Sequence, residues 1–156
     1  MARKATETTT VCTNRKASFK FELIERVQCG ISLVGSEVKS LRAKAVSLDE
    51  AYAHVLNGEL WLVKSHIAPY AEASAMNHEP LRRRKLLLHA RELRKLEPKV
   101  QQKGFTLVPT RIYFNERGLA KVEIAVARGK AQFDKRESIK KREANRDIAR
   151  SLRRGR

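Results

Sequence analysis

Four histidines, at positions 54, 66, 78 and 89, and two cysteines, Cys12 and Cys29, are the side chains with which this chain could hold a metal or carry a proton. Zinc ligands come in close pairs with about two to four residues between partners. Neighbouring histidines here are 11 or 12 positions apart, so no metal site is expected. No P-loop, G-x-S-x-G or H-E-x-x-H signature is present. A lone imidazole can still act as a proton carrier on a ribose hydroxyl, which leaves His54, His66 or His89 open to a ribonuclease-like role. The structural reading competes with it. His66 follows a strand pattern and His89 sits in an apolar run, both places where an imidazole serves as a hydrogen-bonding strut.

Cations form the other chemically capable set. Arg82, Arg83, Arg84 and Lys85 are consecutive. Arg can grip two phosphate oxygens at once, although four cations at the start of a helix would oppose its dipole. Glu37 stands among Lys39 and Arg42, either as a local ion-pair partner or as an acceptor for exposed base edges. Near the C-terminus, "GKAQFDKRESIKKRE" holds six Lys or Arg, three carboxylates and one aromatic, Phe133. Asp134 and Glu137 have the spacing of an N-terminal capping box, Glu137 and Lys141 that of a favourable helical ion pair. Phe133 could stack on a base for ~1–3 kcal/mol.

The whole composition leans the same way. Over 156 residues, 34 Lys and Arg face 17 Asp and Glu, a formal charge of +17. Such an excess marks nucleic acid as the partner ahead of an anionic membrane. No run approaches the ~18–20 apolar residues of a bilayer span, and the start, MARKATETTT, lacks the apolar stretch of a secretory signal. A cytoplasmic location, two free thiols and no disulfide are expected. No cofactor is called for.

Elements to position these groups can be read from period. "SFKFELI" alternates like a half-buried strand, and "GISLVG" continues it. Asn57-Gly58 between two β-rich runs predicts a tight hairpin. A second hairpin is expected from "FTLVPTRIYF" and "LAKVEIAVA", joined through Asn115 to Gly118, for about six strands in all. "SEVKSLRAK" predicts a short helix. A longer one is expected from Pro80, with Leu86, Ala90, Leu93 and Leu96 on one face, until Pro98 stops it. The fold class that follows is mainly β with flanking helices (β+α): a small antiparallel barrel of the oligonucleotide-binding (OB) type, with a sandwich as the alternative. Residues 1–13 read as a flexible leader, 14–128 as the barrel, and 129–156 as a basic tail with 11 Lys or Arg against 4 carboxylates. The tail has too few apolar side chains to fold alone, so it is expected to be disordered when free. Ala144, Ile148 and Leu152 would line one face if bound phosphate made it helical.

Seven stretches together resemble the SsrA-binding protein family, the bacterial partners of transfer-messenger RNA. They are "NRKA" (Asn14 to Ala17), "GISLVGSEVKSLR" (Gly30 to Arg42), "HIAPY" (His66 to Tyr70), "NHEPLRRRKLLLH" (Asn77 to His89), "KGFTLVPTRIY" (Lys103 to Tyr113), "KVEIAVARGK" (Lys121 to Lys130) and "DKRESIKKRE" (Asp134 to Glu143). Nearly the whole chain is covered. The chain departs from the family pattern at Gln28-Cys29, where Glu-Ala is usual, at Ala131 in place of a second Lys, and at Phe133, more often Tyr or His.

The resemblance implies a non-enzymatic, monomeric RNA-binding adaptor with an OB-type barrel. It would bind the tRNA-like domain of transfer-messenger RNA and carry it to the A site of a stalled ribosome for trans-translation. Asn14, Arg15, Lys16, Gln28, Glu37, Lys39, Arg42, Arg82, Arg84, Lys85, Leu87 and His89 would form the RNA surface. Lys130, Phe133, Asp134, Lys135, Arg136, Lys140 and Arg142 would serve the small-subunit decoding region and messenger channel, where the tail becomes a helix. Elongation factor Tu would be met only through the charged RNA, and no membrane is involved. A general ribosomal or ribosome-assembly protein is the alternative with the same basic barrel.

Overall fold

The computed structural model describes residues 8–154. Its first half runs β1 (Thr9–Thr13), α1 (Arg15–Lys20), β2 (Phe21–Ile31), α2 (Gly35–Arg42), β3 (Val46–Ser47), β4 (Tyr52–Leu56), β5 (Glu59–Val63) and β6 (His66–Ile67). A single 3-10 turn at Ser74–Met76 leads to β7 (Arg84–Leu87), α3 (Ala90–Gln101), β8 (Phe105–Phe114), β9 (Ala120–Gly129) and α4 (Gln132–Arg154).

Six strands close a ring in the order β8, β4, β5, β7, β2, β9, the last pairing back to β8. Closure is possible because β8 divides one edge between two partners: Leu107 near its start pairs with Ala53 of β4, and Arg111 to Phe114 near its end pair with β1. The short β3–β6 ladder stands apart. This is the expected barrel in a ring, with about six strands in its wall. The leader expected over residues 1–13 thus contains a paired strand from Thr9, while residues 1–7 lie outside the described ones.

Both hairpins form where expected. Asn57 and Gly58 take φ of 51° and 73°, the left-handed pair a two-residue turn needs. Gly118, at φ 74°, closes the turn between β8 and β9. Leu60, Leu62, Leu107, Ile112, Val122 and Ile124 of the ring strands are fully buried, and Leu41 of α2 and Ile67 of β6 join the same core. A smaller cluster of Ala17, Val108 and Ala127, flanked by Phe21 and Leu23, seats α1 on the outside.

Three local expectations differ. The strand read over "SFKFELI" begins only at Phe21, because Asn14 Oδ1 accepts the Ala17 N–H at 3.1 Å and starts a helix over Arg15–Lys20. The helix expected from Pro80 is strand β7 as far as Leu87, with Arg84 and Leu86 facing inward. Helix α3 starts at Ala90 and passes through Pro98 to Gln101. Burial of Leu96, with Leu93 and Val100 packed on the core, outweighs the hydrogen bond the proline ring forfeits.

The tail is one helix of 23 residues in this structure. Ile148 and Leu152 on its apolar stripe are 58% and 72% exposed, so burial does not hold it. Helix α4 instead touches α1, where the Arg142 guanidinium lies 5.3 Å from the Phe19 ring centroid.

Candidate nucleic-acid interface

The fold brings residues distant in sequence together on three surfaces. On the first, β2 presents Gln28 outward between the inward-facing Val27 and Cys29, and β7 meets β2 with Gly30 opposite Leu87. Gln28, Gly30, Leu87, Leu88, His89, Glu92 and Lys121 therefore line one open cleft of about 330 Å³. Leu87 is 53% exposed there. Three sequence-derived candidates, Gln28, Leu87 and His89, converge in this cleft. Lys121 and Glu92 join them unforeseen. The two-residue alternation of β9 points Lys121 to the same side as Gly30, its ladder partner, a signal available only once the register is known.

The second surface rests on a buried ion cluster. Glu37, from the first turn of α2, is completely enclosed, as is Arg84 of β7. Glu37 Oε1 accepts from Arg84 Nε at 2.8 Å, and Oε2 accepts from Arg82 Nη2 at 2.8 Å and from the Val34 N–H at 3.0 Å. Arg84 donates its remaining N–H groups to the carbonyls of Ser65, Arg82 and Pro80 and to Ser65 Oγ. Burial by itself pushes the Glu37 carboxyl up. The Arg82 hydrogen bonds, the Val34 N–H and Arg84 outweigh it and hold the group below its ordinary value of 4.5. Burial also lowers the Arg84 pKa, against the pull of Glu37.

Of the two readings open for Glu37, the geometry favours ion pairing. Its role is to fix α2 against β7, and only Arg82 of this trio reaches solvent, with 37% of its side chain exposed. Beside it α2 offers two outward cations over aromatic rings: Lys39 Nζ is 5.3 Å from the Tyr70 centroid, and the Arg42 guanidinium 5.9 Å from that of Phe114. Lys85, half-buried on β7, is paired with Glu59.

The third surface is a cleft of about 610 Å³ between α1, the barrel and α4. Arg15, Arg26, Arg111, Arg142 and Arg146 all line it, with Glu123 as its carboxylate. Glu123 accepts from Thr110 Oγ1 at 2.6 Å and lies 3.5 Å from Arg26 and 3.6 Å from Arg111. Five guanidiniums around one carboxylate leave a strong positive field in a concave site. Arg15 and Arg142 were candidates from sequence. Arg26 and Arg111 were missed because they are isolated in sequence and gather only through the β2–β9–β8 ladders, and Arg146 because it reaches the cleft from α4.

Asn14 and Lys16 have mainly internal partners. Asn14 is buried and donates from Nδ2 to the carbonyls of Leu48 and Pro109, and Lys16 pairs with Asp49 at 2.7 Å. Lys130 Nζ donates to the Ser18 carbonyl at 2.9 Å, tying the root of the tail to α1. Lys135 is half-buried, and Arg136, Lys140 and Arg142 are exposed along α4. The side chains of Phe133 and Asp134 lie outside the described residues.

The histidines stand on separate segments. His78 is a strut: its Nε2 donates to the Ile67 carbonyl at 2.9 Å, which leaves Nδ1 to accept from Ser36 Oγ at 2.9 Å. His54 is on β4, His66 on β6, and His89 precedes α3. Among the described residues no group of three His, Cys, Asp or Glu is placed to hold a metal. Cys29 is buried, which together with the Glu92 charge, and against Lys121, pushes its thiol up to about 12. No helix among the described residues is long and apolar enough to cross a membrane.

Comparison with known proteins is consistent across the chain. The family described as SmpB protein matches residues 11–154. The SsrA-binding protein of Symbiobacterium thermophilum is 52% identical over 153 residues, which cover 98% of this chain and 97% of that protein. The SsrA-binding protein of Rhodopirellula baltica is 53% identical over 146 residues, 94% of this chain and 83% of its own length. A solved structure described as "tmRNA-SmpB: a journey to the center of the bacterial ribosome" superposes with a TM-score of 0.67 at 50% identity, covering 82% of this chain and 93% of that one.

Proposed function

We propose, because the chain belongs to the SsrA-binding protein (SmpB) family, that it is an RNA-binding adaptor which binds the tRNA-like domain of transfer-messenger RNA and delivers it to the A site of stalled ribosomes. The observation that carries this reading is the convergence of Gln28, Leu87 and His89 with Lys121 in one open cleft. That cleft offers an exposed apolar side chain, an amide able to donate and accept, and two rim groups that can meet phosphate or a base edge. Lys39, Arg42 and Arg82 extend the surface along α2. Asn14, Glu37 and Arg84 act from beneath it as positioning groups.

The arginine cleft and α4 serve the ribosomal side. Lys130, Lys135, Arg136, Lys140 and Arg142 meet ribosomal RNA, with Phe133 and Asp134 assigned to the same face by resemblance alone. The tail orders along the messenger channel, and elongation factor Tu is engaged only through the charged RNA. In this reading the protein works in the cytoplasm as a monomer, performs no chemistry itself and needs no cofactor.

Competition tests the proposal. At salt high enough to suppress nonspecific phosphate binding, transfer-messenger RNA is expected to displace a structured RNA of equal length that lacks a tRNA-like fold. Equal competition by the two RNAs would instead indicate the general ribosomal or ribosome-assembly protein.

A further inference from the structure

The outer face of β4, β5 and β7 carries side chains that neither the core nor the clefts above account for. Ala53, Leu60, Leu62, Arg84 and Leu86 of these strands point inward and are buried. Alternation therefore turns Tyr52, His54, Trp61 and Lys85 outward. The ladders align three of them in one transverse row, with His54 opposite Trp61 and Trp61 opposite Lys85. Residues directly opposite in an antiparallel ladder share a face, their Cβ atoms about 5 Å apart. Tyr52 extends the row along β4, its ring centroid 6.0 Å from that of His54 at an interplanar angle of 34°, and it is 38% exposed. His54 Nδ1 is buried without a hydrogen-bond partner. The ring is thus held by its neighbours rather than by an anchoring hydrogen bond at that atom.

Tyr52 is exposed and His54 and Trp61 are half-buried, and ring surface left open on the outside of a barrel wall is costly to hold in water. Charge decides what covers these. The chain is +17 overall, Lys85 ends the row, and exposed Lys64 follows the strand position opposite Tyr52. Strand β7 also runs on to Leu87, so the row is continuous with the Gln28, Leu87 and His89 cleft. Glu59 partly offsets Lys85, which favours an occupant gripped chiefly through its flat faces. We propose that Tyr52, His54 and Trp61 form a stacking platform for unpaired bases of RNA, adjoining the tRNA-binding cleft and taking the single-stranded nucleotides that flank the folded part. This rests on the RNA-adaptor reading and adds to it a second kind of RNA contact.

Trp61 is the sole tryptophan of the chain, so its emission reports on this site alone. Titrating the full chain with a 12-nucleotide unstructured RNA is expected to quench that emission saturably. In a parallel anisotropy titration, Trp61→Leu should weaken the oligonucleotide about fivefold or more, since each base stacked on an aromatic contributes ~1–3 kcal/mol. Trp61→Phe, which keeps a ring, should stay within about twofold to threefold of the parent. Binding of a folded tRNA-like RNA should be unchanged in both variants. Saturable oligonucleotide binding without quenching, equal affinity of the Leu and Phe variants, or no oligonucleotide binding overturns the platform. Loss of folded-RNA binding by the parent protein overturns the adaptor reading instead, whatever the oligonucleotide does.

Discussion

Glu37 and Arg84 meet at 2.8 Å with neither side chain exposed to solvent. They are 47 positions apart in the chain, and their contact joins the first turn of α2 to the start of β7. A buried pair is expensive to assemble, yet breaking it is worse, because the remaining charge stays desolvated.

Glu37→Gln is therefore expected to destabilise the fold by about 3 kcal/mol or more, read from urea unfolding followed by Trp61 emission. Replacing both partners, Glu37→Met with Arg84→Met, should cost less than the single substitution. A single-variant loss below about 1 kcal/mol would mean that the pair behaves as though it were at the surface.

Acid should expose the same cluster. Since the folded carboxyl of Glu37 lies below 4.5, its contribution to stability is complete above that pH and is lost as pH falls through the folded value. The parent protein should lose stability faster than Glu37→Gln below about pH 4.5, the two curves converging. Parallel curves from pH 6 to pH 2, measured by urea midpoints, would contradict the assignment.

Gly30 leaves room for the RNA cleft. A Cβ built there comes within 3.1 Å of Leu87 Cβ, so Gly30→Ala must displace Leu87 or the strand beneath it. We expect folded-RNA affinity to fall about fivefold, a change of ~1 kcal/mol, in a protein that still unfolds cooperatively. Adding Leu87→Gly, which removes that Cβ, should relieve the clash without restoring affinity, because the apolar contact is then gone. Unaltered binding by Gly30→Ala would take Leu87 out of the interface.

What could be read from sequence was whatever short range determines. The Asn57-Gly58 turn and the β8–β9 hairpin need only adjacent residues, and the barrel follows once several such units must close on one core. The run Arg82 to Lys85 was harder. Its four cations suggest a uniform solvated or RNA-facing patch, but strand alternation sends Arg84 inward to a carboxylate supplied by another element, leaving Arg82 at the surface. The helix expected from Pro80 failed for the same reason: Leu86 answers to a two-residue period set by pairing with β5, and not to the spacing it shares with Leu93. Among the site residues, Gln28, Leu87 and His89 were found through family resemblance. Lys121, Arg26 and Arg111 carry no local signal, since only sheet register decides their neighbours.

Helix α4 has one further consequence. Its 23 residues make a rod of about 34 Å at ~1.5 Å each, comparable to about ten nucleotides of stacked strand at ~3.4 Å apiece. Removing one residue from such a ruler shortens it only slightly but swings everything beyond the cut by about 100°. The bearing of its distal arginines is thus more sensitive to insertions and deletions than its reach, and changes of about seven residues, close to two full turns, disturb that bearing least.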